Sequence, residues 1–298
     1  MYVIVNGKMQ ICEMKKFKLY MNHIKKALII FALVVFSSTS LFSQNYNLPI
    51  VRDSLNYYFR SIALEKIDSN KINLNKNILR IIRNSLSECE SFSAPIDSVV
   101  NLGLIKSTND QLRFYTWNIP LNDGTHKYFG FIHYYDKKEK QYISYELFDN
   151  SDYLKNPEYL TLSDRNWFGA LLYKIVELKH KGDTYYILLS SDLNDMLTKK
   201  KIIDVLQFDE NNLPVFGAKI FKNKPNNTRI FFEYNARANM TLTYDEKLKM
   251  IVFDHLSPSK PSLVGVYEFY GPDFSYDGYK FEKGMLELYP DIDIRNIK

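Results

Sequence analysis

Asp273, Ser275 and Asp277 alternate along Tyr270–Tyr279 (YGPDFSYDGY), with Gly278 directly behind them. The order D-x-S-x-D-G is the opening half of a calcium loop. Oxygen ligands at the first, third and fifth positions converge, and the glycine permits a sharp turn. The second half departs from that pattern. The ninth position is Phe281, the twelfth is Gly284 where a bidentate Glu belongs, and Glu282 comes too early. Phe274 and Tyr276 set large rings between the acids, which suits a strand or wide turn better than an ion cage. The plain alternative to calcium is an Asp/Gly turn between two strands. Calcium is the one cofactor these residues suggest, with Asp273, Ser275 and Asp277 as its ligands.

Asp254-His255 closes an apolar run just ahead of Pro258. Neighbours on a strand point to opposite faces, so a working acid–base pair at His255 needs a carboxylate from another segment. Glu233, Glu268 and Asp273 are acids that could meet across a cleft, as glycoside hydrolysis requires, but no spacing joins any two of them. The nucleophile-elbow, dinucleotide, phosphate-loop, zinc-protease and paired-cysteine motifs are all missing. Of the five histidines, His126, His133, His180 and His255 lie beyond residue 43, and no two share metal-ligand spacing on one element. Cys89 is the one thiol beyond that point and reads as a structural residue. Tyrosine is abundant, 23 in all, and suits half-buried strands and sugar- or peptide-contacting surfaces alike.

Two helical patterns and a long series of strands would position these residues. Val51, Leu55, Tyr58, Phe59, Ile62 and Ile67 recur at helical steps, and so do Leu74, Ile78, Ile81, Ile82 and Leu86. Asp68-Ser69-Asn70 reads as the turn between the two helices, and Asn73 or Asn75 as the second helix's cap. From Ala94 the period becomes two. Runs such as Leu112–Trp117, Thr184–Ser190, Val215–Phe221, Arg229–Tyr234, Gly265–Phe269 and Gly278–Phe281 are separated by polar turns. Asn166–Leu178 and Leu193–Lys200 are the segments in this half with helical spacing. The expected fold is mainly β: an antiparallel meander of about 11 or more strands with an N-terminal helical pair. Its form would be a propeller-like array or a large sandwich, with a closed barrel behind them.

The N-terminus reads as an address. Lys25-Lys26 precede the apolar run Ala27–Phe36, and small polar residues lead to Ser43-Gln44. That is the order of a secretory signal peptide cleaved after Ser43, and its apolar run is too short to span a bilayer. Residues 1–20 then read as an extension upstream of the true start, 21–43 as the signal, 44–92 as a helical cap and 93–298 as one β unit with it. The net charge of +5 resides wholly in residues 1–43, which hold six lysines and one acid. The remainder is balanced, so nucleic acid is not expected as a partner.

Phe42-Ser43-Gln44 looks like the signal-peptide end common in the Bacteroidota. Leu112–Trp117 (LRFYTW), Gly169–Ile175 (GALLYKI), Lys200–Phe208 (KKIIDVLQF), Val252–Leu256 (VFDHL) and Tyr270–Tyr279 resemble a group of exported proteins from that phylum. The group carries no assigned activity, so the resemblance implies location and relatedness and no residue role. The expectation is a secreted or periplasmic binding or structural module for an extracellular or periplasmic ligand, with no transmembrane span after cleavage. The alternative is a secreted hydrolase acting on glycan or peptide through carboxylates gathered from several strands.

Overall fold

The computed structural model describes residues 46–293, apart from the side chain of Cys89. The expected leader, upstream extension and cleavage point lie outside the described residues, as does the expectation for the Cys89 side chain. The described residues from Asn47 onward form one compact unit.

Helix α1 (Leu48–Leu64) starts where the Asn47 side chain accepts a hydrogen bond from Ile50 N, with Pro49 in the first turn. Its buried stripe is Leu55, Phe59 and Ile62. Helix α2 (Asp68–Leu86) begins earlier than expected. Asp68, Ser69 and Asn70 are its first turn, and the chain reverses instead at Glu65–Ile67. There the Glu65 carboxylate accepts from Lys66 N and Ile67 N at 2.8 and 2.9 Å. Asn75, read from sequence as a cap, sits deep in the helix and is buried. Its Oδ1 accepts Trp117 Nε1–H at 2.8 Å, tying the helix to the sheet beneath.

Among the described residues, fourteen antiparallel strands follow in three sheets. The first has the order β1 (Gly103–Lys106), β2 (Leu112–Pro120), β3 (His126–Asp136), β4 (Gln141–Phe148). The second has the order β5 (Leu162–Ser163), β9 (Pro214–Phe216), β8 (Thr198–Phe208), β7 (Asp183–Asp192), β6 (Leu171–His180), with β10 (Ile230–Asn235) also on β8. The third runs β11 (Leu242–Asp245), β12 (Met250–Pro258), β13 (Tyr270–Glu282), β14 (Met285–Tyr289).

Alternation assigns each face of the first two sheets to a different core. On β2, Tyr115, Trp117 and Ile119 pack with Leu55, Phe59, Ile78 and Ile82 of the helices. Leu112 and Phe114 point the other way and pack with Leu172, Leu188, Leu206 and Phe216 of the second sheet. That sheet turns Ile187, Leu189, Ile203 and Val205 toward Ile251, Phe253 and Tyr279 of the third. The layers are helices, sheet, sheet, sheet. Among the described residues no core cluster joins the first sheet to the third, the contact that would close a propeller ring.

Several local expectations change. Residues 171–178 of the segment expected as helical are strand β6. Its sheet is buried on both faces, and a bulge between Leu172 and Lys174 breaks the alternation, so the apolar residues mimic helical spacing. Of Leu193–Lys200, residues 198–200 open β8, and Asp195 Oδ1 holds the preceding turn by accepting Leu197 N and Thr198 N. Gly265–Phe269 is no strand but a turn with a short 3-10 segment, Tyr267–Phe269. Val215–Phe221 stops as a strand at Phe216, because Gly217 turns the chain at φ +95°.

Trp117 stacks on Phe129 and Phe131 and meets Phe59 edge-on, so its indole N–H is far from water. Asn75→Leu strands that donor and is expected to cost about 1–3 kcal/mol in urea unfolding followed by Trp117 fluorescence. An unchanged midpoint would show that the bond carries no net stability.

Candidate functional site

The 259–269 excursion between β12 and β13 stands between two clefts. One is shallow, about 430 Å³, and is lined by Ser257, Glu268 and Asp273 among others. The other, about 610 Å³, is lined by Tyr159, Phe168, Lys200, Phe231, Glu233 and Tyr267, together with Lys224 and Asn227.

Of the residues singled out from sequence, Glu268 and Asp273 line the shallow cleft, and the geometry around Asp273 replaces the calcium loop with a bulge. Asp273–Ser275 do not turn between two strands; they lie within β13, opposite the register shift between Asp254 and Leu256. Phe274 is thrown outward at φ +70° and is 93% exposed. The two carboxylates are spent separately. Asp273 Oδ2 accepts Ser257 Oγ–H at 2.7 Å, and Oδ1 accepts the Ser275 hydroxyl and amide at 2.8 and 3.2 Å. Burial pushes the Asp273 carboxyl up, but these bonds outweigh it and hold it below the usual carboxylate range. Asp277 instead accepts Asp291 N on Oδ1 and faces His255 with Oδ2. Among the described residues no group of three acidic, His or Cys side chains is placed to hold a metal ion.

His255 does find its carboxylate from elsewhere. Its Nδ1 lies 2.8 Å from Asp277 Oδ2 across the β12–β13 bulge, and that bond raises the imidazole above its ordinary value. Asp254, its sequence neighbour, points away and caps the backbone, with Oδ2 accepting Thr241 N at 2.6 Å. His255 is open to solvent along about half its side chain, 48%. The pair is an oriented base, and neither His255 nor Asp277 lines the shallow cleft. Glu268 contributes its backbone carbonyl to Asn235 Nδ2, which fixes the 267–269 turn against β10.

The larger cleft is built from five segments, and sequence spacing gives no sign of it. β10 pairs with the first half of β8, so Glu233 stands directly opposite Lys200 and Phe231 opposite Ile202. On this face Glu233 Oε1 accepts Thr198 Oγ1–H at 2.7 Å, and Lys200 Nζ donates to Asn194 Oδ1 at 2.9 Å. Phe168 meets Phe231 edge-to-face with centroids 4.8 Å apart and forms an apolar floor. Tyr159 and Tyr267 stand at the sides, 51% and 45% exposed. The wall bearing Pro157, Glu158 and Tyr159 has its carbonyls held from below. Thr228 N and Oγ1 reach Glu158 O at 2.8 and 3.2 Å, Thr228 Oγ1 reaches Leu160 O at 2.7 Å, and Arg229 Nη1 bonds Pro157 O and Leu160 O.

Of the acids read from sequence, Glu233 lies on the aromatic cleft, whereas Glu268 and Asp273 lie on the shallow one. Glu158, which no sequence pattern marks, joins Glu233 on the aromatic cleft. Among the described residues, no helix is long and apolar enough to cross a membrane. Comparison of the chain with protein-family models, with curated proteins and with solved structures gives no match.

Proposed function

We propose that this is an exported binding module whose aromatic cleft takes a short glycan segment. One observation carries the reading: aromatic rings and polar side chains of both charges converge on one open cleft of about 610 Å³. A sugar ring has an apolar face for a tyrosine or phenylalanine ring and a rim of hydroxyls for Lys200, Lys224, Asn227 and Glu233. Opposite charges, already opposed across β8 and β10, offer donors and acceptors without a net field that would select one ion. Export rests on the signal-like order of residues 21–43 and on the resemblance to exported proteins of the Bacteroidota.

Titration of the full chain with a panel of soluble oligosaccharides by calorimetry tests the reading. At least one member is expected to bind saturably, with Phe231→Ala and Tyr267→Ala each weakening it about tenfold or more, the scale of a lost aromatic anchor. Absence of saturable binding across the panel, or variants that bind like the parent, would sink it. The hydrolase alternative draws support from Glu158 and Glu233 lining the same cleft. Reducing ends that accumulate in the same mixtures and vanish with Glu233→Gln would decide for it.

A further inference from the structure

A second cleft, about 580 Å³, has chemistry of another kind. β1 pairs with β2 only from Arg113 to Thr116, so among the described residues the outer edge of Trp117–Pro120 has no strand beside it. The cleft lies along that edge, walled by Phe59, Ile62 and Ala63 of α1 and by Leu171 and Leu172 of β6. Phe59, Ile62, Ile119 and Leu172 are all buried, so most of the lining is apolar.

The charges at this cleft are already occupied. Lys71 Nζ is buried and donates to Asp68 Oδ1, Pro120 O and Asn122 Oδ1 at 2.8, 3.0 and 3.4 Å. The Glu65 carboxylate accepts Lys66 N, Ile67 N and Asn70 Nδ2. The two carboxylates whose fields reach His126 are engaged too. Asp192 accepts from Tyr128 Oη and Asn194 N, and Asp123 from Thr125. Lys71 is paired with Asp68, so an anionic ligand would shed its water here with no free cation among the described residues to meet it. A cation would meet only Glu65, which already holds three donors.

His126 is the group left to recognise something. Asn118 and His126 are diagonal neighbours on β2 and β3, with Asn118 Nδ2 2.7 Å from His126 Nδ1. An amide nitrogen only donates, so Nδ1 accepts and the proton of the neutral ring sits on Nε2. Burial lowers the imidazole below its ordinary value, against the pull of Asp192 and Asp123, and keeps the ring neutral at pH 7.

We infer that this cleft binds an uncharged, largely apolar small molecule carrying a carbonyl or hydroxyl acceptor, which His126 holds through Nε2–H. Its volume falls in the range of small-molecule sites, about 300–1,000 Å³. The inference is independent of the aromatic cleft and survives its failure.

Prodan, a neutral naphthyl ketone whose emission shifts to the blue in apolar surroundings, is the probe. The full chain is expected to bind it saturably with blue-shifted emission. Ala63→Trp, a change at an exposed wall position, is expected to abolish that binding, with Leu193→Trp as a second obstruction should the first fail to fold. His126→Phe keeps the apolar walls and removes the donor, so binding is expected to weaken about three- to tenfold while the emission stays blue. Phe231→Ala is expected to leave prodan binding unchanged. Unsaturable emission overturns the proposal, as does equal binding by folded Ala63→Trp and Leu193→Trp or by His126→Phe. An anionic naphthalene sulfonate that displaces prodan at equal concentration overturns the preference for a neutral ligand.

Discussion

Arg229→Ala is expected to destabilise the protein by about 3–5 kcal/mol, the scale of a buried ion pair broken from one side. Arg229 is fully buried at the head of β10. Its Nε lies 3.1 Å from Asp204 Oδ2, close enough for charge pairing but off the line of a hydrogen bond. The guanidinium is satisfied instead by carbonyls: Nη1 bonds Pro157 O and Leu160 O, and Nη2 bonds Phe216 O at 3.2 Å. Truncation takes one donor from each of three carbonyls, although Leu160 O keeps Thr228 Oγ1 and Pro157 O keeps Leu160 N. It also leaves Asp204, buried within β8, without its countercharge. Gly217 belongs to the same device. A Cβ there would come within 2.8 Å of Arg229 Nη2 and 3.0 Å of Leu160 O, on a backbone already at φ +95°. Denaturant unfolding is the measurement. Arg229→Met paired with Asp204→Leu removes both charges at once and is expected to recover much of the loss. If the single and double variants are equally destabilised, packing rather than charge is the cause. The 157–160 wall of the aromatic cleft is held by these carbonyl bonds, so folded Arg229→Ala is also expected to weaken the glycan binding proposed for that cleft.

The strands were legible because hairpins are local. Asp136–Glu139, Lys181-Gly182-Asp183 and Asp245-Glu246-Lys247 carry turn chemistry in their own residues, and each joins two strands paired in the expected sense. The stacking of sheets was less legible, because it depends on which faces are covered. β6 carries apolar residues on both faces with a bulge at Tyr173, and that combination resembles a helical stripe. For His255, alternation excluded Asp254 and required a distant acid, but only tertiary pairing identifies Asp277. Arg229 left a faint trace. Asp204 interrupts the apolar run Ile202–Leu206, and one charge of each sign inside buried strands points to a pair. The aromatic cleft draws on loops far apart in sequence, so no spacing encodes it.

His133→Phe is expected to stabilise the protein at pH 5 by about 2 kcal/mol relative to its effect at pH 8. His133 is fully buried on β3, and among the described residues neither ring nitrogen has a hydrogen-bond partner. Phe92 meets it edge-on at 5.0 Å, Tyr142 lies 6.0 Å away, and Arg113 stands directly opposite on β2. Burial, helped by the Arg113 charge, pushes the imidazole down to about 4. An unfolded histidine takes its proton near 6.5, so between those two values the unfolded chain binds more protons than the native one. Stability therefore falls as pH drops from 6.5 toward 4, and at pH 5 most of that loss has accrued. Phenylalanine cannot titrate and suits the aromatic surroundings, so the variant's stability curve is expected to lack this slope. At pH 8, where the histidine is neutral in both states, the two proteins differ in packing and in the two unpaired ring nitrogens but not in proton binding. Urea midpoints taken from pH 4.5 to 8 measure the difference, and His133→Leu repeats the test should the larger ring overpack the site. Parallel curves for parent and variants would mean that His133 binds its proton equally in the native and unfolded states, so that burial beside Arg113 does not lower it.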